Sequence, residues 1–230
     1  MDRHDRHHAA LFDLDCTLID RHQSIAAYAQ RFIDDFHAGL GTHDIETVLP
    51  VLMRADGGGY RAAERAGDIL TGLAWKQAPG ADQLDTHWRQ HTPVMSVLME
   101  GAIDTLRACR ARNLALAIVT NGTVKSQQRK LDALELEAEV DAVVISEAVG
   151  CKKPDPRIYT AALDALGVPA EQAIYIGDHP INDVLGATDA GLRAIWLEGS
   201  QDWPADRAPH RWVAQTLAEV ITLIDQIASD

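Results

Sequence analysis

"LFDLDCTLID", residues 11–20, sets two aspartates, Asp13 and Asp15, directly behind an apolar run that begins at Ala9, then follows them with Cys16 and Thr17. A short apolar run bounded by polar residues reads as a buried strand. In an extended chain, residues two apart point the same way, so Asp13 and Asp15 are expected to share a face while Leu14 points to the other. Taken alone, a D-x-D pair is equally at home in a turn or as a helix cap. Its meaning depends on what the rest of the chain builds around it.

Short runs rich in Val, Ile, Leu and Ala recur at "AALF", "LALAIVT", "DAVVIS", "QAIYIGD" and "RAIWL". Between them lie stretches with helical spacing, such as "AIDTLRACRARN", "TVKSQQRKLDALE", "DPRIYTAALDALG" and "NDVLGATDAG", several closed by Gly or Asn as a left-handed cap favours. This alternation predicts an α/β fold, a Rossmann-like parallel sheet with helices on both faces. The C-terminal "RWVAQTLAEVITLIDQIA" predicts a short strand and a closing amphipathic helix.

From about Arg21 to Pro93 the strand-like runs vanish and helical ones take over, among them "SIAAYAQRFIDDF", "DIETVLPVLMR" and "DQLDTHWRQH". The expected organisation is therefore a discontinuous α/β core, residues 1–20 and 94–230, with an inserted all-helical subdomain at 21–93. The crossings act as hinges in this reading, with "HTPVMSV" around Pro93 as one of them. Gly57, Gly58 and Gly59 predict a turn between two helices, because three glycines inside a helix would cost about 3 kcal/mol.

Composition narrows the function. The chain has 230 residues, 47% of them hydrophobic, with 34 acidic against 21 basic side chains and a formal net charge of -13. That balance disfavours a broad electrostatic grip on nucleic acid or on an anionic membrane, so an anionic ligand would need local cations. Cys16, Cys109 and Cys151 are an odd, widely spaced set without C-x-x-C spacing, which suggests neither a disulfide framework nor a zinc knuckle and fits a reducing cytoplasm. The opening "MDRHDRHH" lacks an apolar signal core. Its His4, His7 and His8 are read as a polar terminus rather than a metal site.

The other strand ends decide the matter. "LAIVTNGT" closes its strand with Thr120 and Asn121 ahead of Gly122, a hydroxyl and an amide suited to an anion. "GCKKPDP" offers Lys152 and Lys153, point charges for a phosphate or carboxylate. "IYIGDHPINDV" ends its strand with Gly177 and Asp178 and follows with Asp183. Ligands of open parallel sheets bind beyond the carboxyl ends of the strands, so these four elements are expected to meet in one crevice.

The joint pattern D-x-D-x-T, strand-end T-N, K-P and G-D-x-x-x-x-D, with a helical insertion directly after the first element, resembles the haloacid dehalogenase superfamily of hydrolases, in its helical-cap branch. The resemblance spans nearly the whole chain and is strongest at 10–20 and 95–195. It implies that Asp13 is the nucleophile forming an aspartyl-phosphate, that Asp15 is the general acid and base, and that Thr120 and Asn121 hold the phosphoryl group. Lys153, directly before Pro154, matches the motif lysine that steadies nucleophile and phosphate, with Lys152 the lesser candidate. The implied cofactor is Mg2+, held by Asp13, the backbone carbonyl of Asp15 and Asp178, while Asp183 supports the metal through water or holds the lysine. Hard oxygen ligands of this kind suit magnesium.

Position 16 departs from the pattern, since relatives commonly carry Gly or a polar residue there, and the turn after Asp15 is expected to differ slightly. Dehalogenases lack the second aspartate of D-x-D, because a halide leaves without a proton, so Asp15 points to phosphate ester hydrolysis. The resulting expectation is a magnesium-dependent phosphatase of a small phosphomonoester, of the sugar phosphate, nucleotide or flavin mononucleotide class, acting as monomer or homodimer. A phosphomutase of the same superfamily and a non-catalytic phosphate-binding regulator stay open as alternatives. Arg54, Arg61 and Arg65 of the insertion are read as solvent-facing on surface statistics.

Overall fold

The run Ala9–Phe12 forms β1, and every one of its side chains is buried, as a strand covered on both faces requires. The computed structural model describes residues 8–229, so His4 and His7 lie outside the described residues. After β1 come β2 (Ile19–Asp20) and four helices, α1 (Arg21–Asp35), α2 (Ile45–Asp56), α3 (Arg65–Gly72) and α4 (Ala81–His91). The chain continues through β3 (Val97–Leu98), α5 (Ala102–Ala111), β4 (Ala115–Thr120), α6 (Val124–Leu134), β5 (Ala142–Ile145), α7 (Ser146–Val149) and α8 (Pro156–Leu166). It ends with β6 (Ala173–Gly177), α9 (Gly186–Asp189), β7 (Arg193–Leu197), β8 (Val213–Ala214) and α10 (Leu217–Ile227).

Six strands make one parallel sheet in the order β5-β4-β1-β6-β7-β8. Strand β1 is central, with β4 and β6 on either side, and the chain turns outward from it in both directions. That reversal creates the crevice at which open α/β sheets bind ligands. Side-chain alternation divides the apolar residues between two layers. Ala10, Phe12, Ile118 and Ile176 pack with Leu106 of α5, Leu131 of α6 and Ile224 of α10, whereas Leu11, Val119 and Tyr175 pack with Ile158 and Tyr159 of α8.

Two local features differ from the sequence reading. Strand β1 stops at Phe12, so Asp13 and Asp15 lie on the loop that leaves it, and at Cys16 this loop takes a left-handed turn with φ 63°. The stretch read as the helix "NDVLGATDAG" is a π-helical turn, Pro180–Leu185, followed by the single turn of α9. Such turns are rare and frequent at functional sites.

The chain separates into two compact units, residues 20–97 and the remainder. The 20–97 unit has its own apolar core, in which Tyr28, Phe32, Leu52, Ile69 and Trp88 are buried together. Helices α1 and α2 begin at aspartate caps, Asp20 accepting from Gln23 N and Asp44 from Glu46 N, an arrangement that satisfies otherwise orphaned amides. Gly57, Gly58 and Gly59 form the expected turn, all with positive φ. Arg65 corrects the solvent-facing reading: it is buried, its guanidinium lies 4.6 Å from the Trp88 ring centroid, and its Nε has no hydrogen-bond partner. Burial lowers its pKa, although the Asp56 carboxylate opposes that shift. The ring face compensates part of the lost hydration.

Candidate active site

Asp13 follows the last residue of β1 and continues its ladder, its N–H donating to Ile176 O at 2.9 Å. Its buried carboxylate accepts from Lys153 Nζ at 2.5 Å. The same ammonium donates to Asp183 Oδ1 at 2.7 Å and to the Tyr175 hydroxyl at 3.0 Å. Lys153 is buried while Lys152 is exposed, which separates the two lysines. The Asn121 amide brackets the Lys153 backbone, accepting from its N–H at 2.9 Å and donating to its carbonyl at 3.1 Å. Asn121 therefore fixes the lysine loop from the end of β4.

Asp178 follows β6 and is buried. It accepts from Thr17 Oγ1 at 3.3 Å and from the Ser200 hydroxyl, and its carbonyl accepts from Trp196 Nε1 at 2.9 Å. Asp183 uses its second oxygen to accept from His179 N–H at 2.8 Å. Oxygens of Asp13, Asp178 and Asp183 all lie within 4.8 Å of one another. Gly177 makes this approach possible, since a Cβ there would fall 2.5 Å from Asp183 Cβ.

Electrostatics defines what this cluster lacks. Burial lowers the pKa of Lys153, but the Asp13 and Asp183 carboxylates more than reverse that, so its ammonium stays charged. Asp13 is held well above the usual carboxylate range, chiefly by burial and further by Asp183 and Asp178, against the pull of Lys153. Asp178 is pushed up to about 6 by burial and by Asp183. Three buried carboxyl groups converge on a single ammonium, and a divalent cation held by them would offset the mutual repulsion that raises Asp13 and Asp178. An all-oxygen donor set of this kind fits a hard ion such as magnesium.

Asp15 lies apart from that cluster of three. Its carboxylate accepts from Lys130 Nζ at 2.7 and 2.6 Å and from Gln127 Nε2 at 3.0 Å. Gln127 also donates to Thr120 Oγ1 at 2.6 Å, so one amide ties the strand-end threonine to the second aspartate. Gln127 and Lys130 sit three apart on α6, which places them on one face. Neither was marked in the sequence, because polar residues on an amphipathic helix ordinarily face water. Tyr175 was hidden within the apolar run of β6, and Ser200 in a loop without a motif.

A parallel sheet with Asp13 and Asp178 beyond two of its central strands, and a buried lysine bridging Asp13 to Asp183, defines an α/β protein with an acidic crevice at the carboxyl ends of its strands. Residues 10–197 match the haloacid dehalogenase-like hydrolase family, and the chain belongs to that family. It is 46% identical over 93 residues to a phosphoserine phosphatase of Thermus thermophilus, covering 40% of this chain and 37% of that protein. It is 35% identical over 128 residues to the pyrimidine 5'-nucleotidase YjjG of Escherichia coli, covering 55% of this chain and 56% of that one. The chain thus spans less than two thirds of the length of the curated relatives it matches first. The magnesium-bound HAD-hydrolase YfnB of Bacillus subtilis has the same fold, with TM-score 0.73 and 22% identity over 96% of this chain and 99% of that one. Among the described residues no helix is long and apolar enough to cross a membrane.

Proposed function

We propose that the chain is a magnesium-dependent phosphatase of small phosphomonoesters, with Asp13 as nucleophile. The observation that carries this reading is the Asp13–Lys153–Asp183 bridge beside Asp178. A buried carboxylate with a lysine at 2.5 Å is a poor structural ion pair, costly to desolvate, but an apt nucleophile for an anionic phosphoryl group. Relatives with partial coverage include phosphatases acting on phosphoserine, on pyrimidine nucleotides and, in Pyrococcus abyssi, on glyceraldehyde 3-phosphate. Their common feature is a small monoester.

In this reading Asp13, Asp178 and the carbonyl of Asp15 hold the magnesium, and Asp183 acts through Lys153. Bound there, the ion would supply the positive charge that offsets the carboxylates and the phosphate; YfnB, which shares the fold, is bound to magnesium. Without compensation the repulsion is substantial, about 4 kcal/mol for two unit charges at 4 Å and an effective dielectric of 20. Lys153 opposes it from the protein side. A carboxylate oxygen of Asp13 attacks phosphorus and the ester P–O bond breaks, while Asp15, entering this step protonated rather than as the Lys130-paired carboxylate, gives its proton to the leaving oxygen. Asp15, now a carboxylate, takes a proton from the water that attacks the aspartyl-phosphate, which releases phosphate and restores both residues. Thr120 holds a phosphoryl oxygen, and Asn121 keeps Lys153 in place.

Release of inorganic phosphate from a panel of phosphoserine, pyrimidine nucleoside monophosphates, glyceraldehyde 3-phosphate, sugar phosphates and flavin mononucleotide tests this reading. Hydrolysis of at least one member with magnesium is expected. Binding of these compounds without any phosphate release would refute it.

A further inference from the structure

The helical unit carries a second group of potential ligands that the phosphatase reading does not use. His87 and His91 stand four apart on α4 and so share a face, and Asp35 is the last residue of α1. One donor atom from each lies within 4.8 Å of the others. His87 Nε2 is 2.9 Å and His91 Nε2 4.0 Å from Asp35 Oδ2. Two imidazoles and the Arg31 guanidinium are directed at one oxygen, Asp35 Oδ2, and only 11% of the His87 side chain is exposed.

The spacing also suits a metal. Zinc takes imidazole nitrogen and carboxylate oxygen at about 2.0–2.2 Å in a tetrahedron, which sets neighbouring ligand atoms about 3.3 Å apart. The two observed distances bracket that value. A hydrogen bond accounts for the His87 distance but not for 4.0 Å at His91.

The surroundings support the same assignment. The Tyr28 hydroxyl lies 2.9 Å from His87 Nδ1, the position from which an outer partner fixes the ring of a metal-bound histidine. With Nε2 on a metal, Nδ1–H donates to the Tyr28 oxygen. Arg31 Nε sits 2.5 Å from the same oxygen, Asp35 Oδ2, so a metal there displaces the guanidinium, whose side chain is 45% exposed and can turn to water. A cleft of about 570 Å³, whose lining includes Asp35, Phe36, Asp82, Thr86 and His87, opens beside two of the three residues.

We propose that Asp35, His87 and His91 form a zinc-class divalent metal site in the helical unit, with three protein ligands and a solvent position. Nitrogen donors select a borderline first-row ion and disfavour magnesium, which prefers oxygen. The two sites therefore sort by chemistry: magnesium for the all-oxygen cluster, zinc or cobalt for the imidazole pair.

The test is titration of the full chain with Zn2+, and with Co2+ as a spectroscopic probe, in excess Mg2+. The background carries His4→Ala, His7→Ala and His8→Ala, so that terminal imidazoles contribute nothing. A single zinc equivalent with Kd below about 10 μM is expected, with a cobalt spectrum of four-coordinate type. His91→Ala is expected to weaken binding by a factor on the order of 100, and Tyr28→Phe by about 10-fold. Zinc should also protect His87 and His91 from imidazole acylation mapped by mass spectrometry, a readout that needs no variant to fold. Binding unchanged in His91→Ala, absence of binding below about 100 μM, or absence of protection overturns the proposal.

Discussion

Lys130 places its ammonium 2.6 and 2.7 Å from the two carboxylate oxygens of Asp15. Gln127 completes the grip from one turn earlier on α6, at 3.0 Å. In the proposed reaction Asp15 handles both protons, so α6 acts on catalysis through it without needing to touch the substrate.

Lys130→Met should therefore lower kcat by about 10- to 100-fold and leave KM within about twofold, the pattern of an interaction that matters in the transition state more than in substrate binding. Lys130→Arg, which keeps the charge, should recover part of the loss. Steady-state kinetics on the best substrate of the panel reads this directly. A change confined to KM would assign Lys130 to substrate binding instead.

Cys16 occupies left-handed backbone at φ 63°, which costs an L-residue about 1–2 kcal/mol. Glycine removes that strain but adds about 0.5–1 kcal/mol of chain entropy to be lost on folding. The difference, about 0–1.5 kcal/mol and centred on about 0.75, predicts that Cys16→Gly stabilises the protein, with a rise in Tm of about 2–3 °C at this size. Cys16→Ala keeps the Cβ and should give no such rise. Thermal unfolding of the two variants side by side decides it, and a lower Tm for the glycine variant would contradict the strain assignment.

The raised pKa of Asp178, about 6 through burial and the Asp183 carboxylate, sets a pH dependence. If Asp178 holds magnesium as proposed, protons compete with the ion for this carboxylate, and apparent magnesium affinity should be about 10-fold weaker at pH 5 than at pH 7. Stability of the metal-free protein responds in the same window. The folded state binds the proton more tightly than the unfolded chain, so the Asp178 contribution favours folding below about pH 4 and is lost as pH rises toward 6. Magnesium titrations across pH 5–8 measure the first effect, and a flat profile would contradict it.

The sheet was legible because strands buried on both faces must be continuously apolar, and "AALF", "LALAIVT" and "QAIYIGD" meet that demand without competing helical patterns. Asp13, Thr120 and Asp178 stood out because each follows such a run abruptly. Lys130 and Gln127 did not, since a polar residue on a helix with one apolar face is ordinarily solvated, and only the fold turns that face toward Asp15. Arg65 misled for the same reason: its partner Trp88 is remote in sequence, and nothing local announces the burial. His87, His91 and Asp35 belong to two separate helical runs, whose meeting depends on how α1 and α4 pack around Tyr28. The extent of β1 also escaped the pattern, because alternation alone does not show where a strand gives way to a loop.

The central claim is that Asp13 attacks phosphorus with magnesium alongside. The most direct measurement is phosphate release from a generic aryl phosphate by the wild-type chain with magnesium, by the same chain with chelator, and by Asp13→Asn with magnesium. The account predicts turnover in the first case, its loss on chelation with recovery when magnesium is returned, and a fall of at least about 1,000-fold for Asp13→Asn. Turnover by Asp13→Asn at a rate comparable to wild type would contradict it.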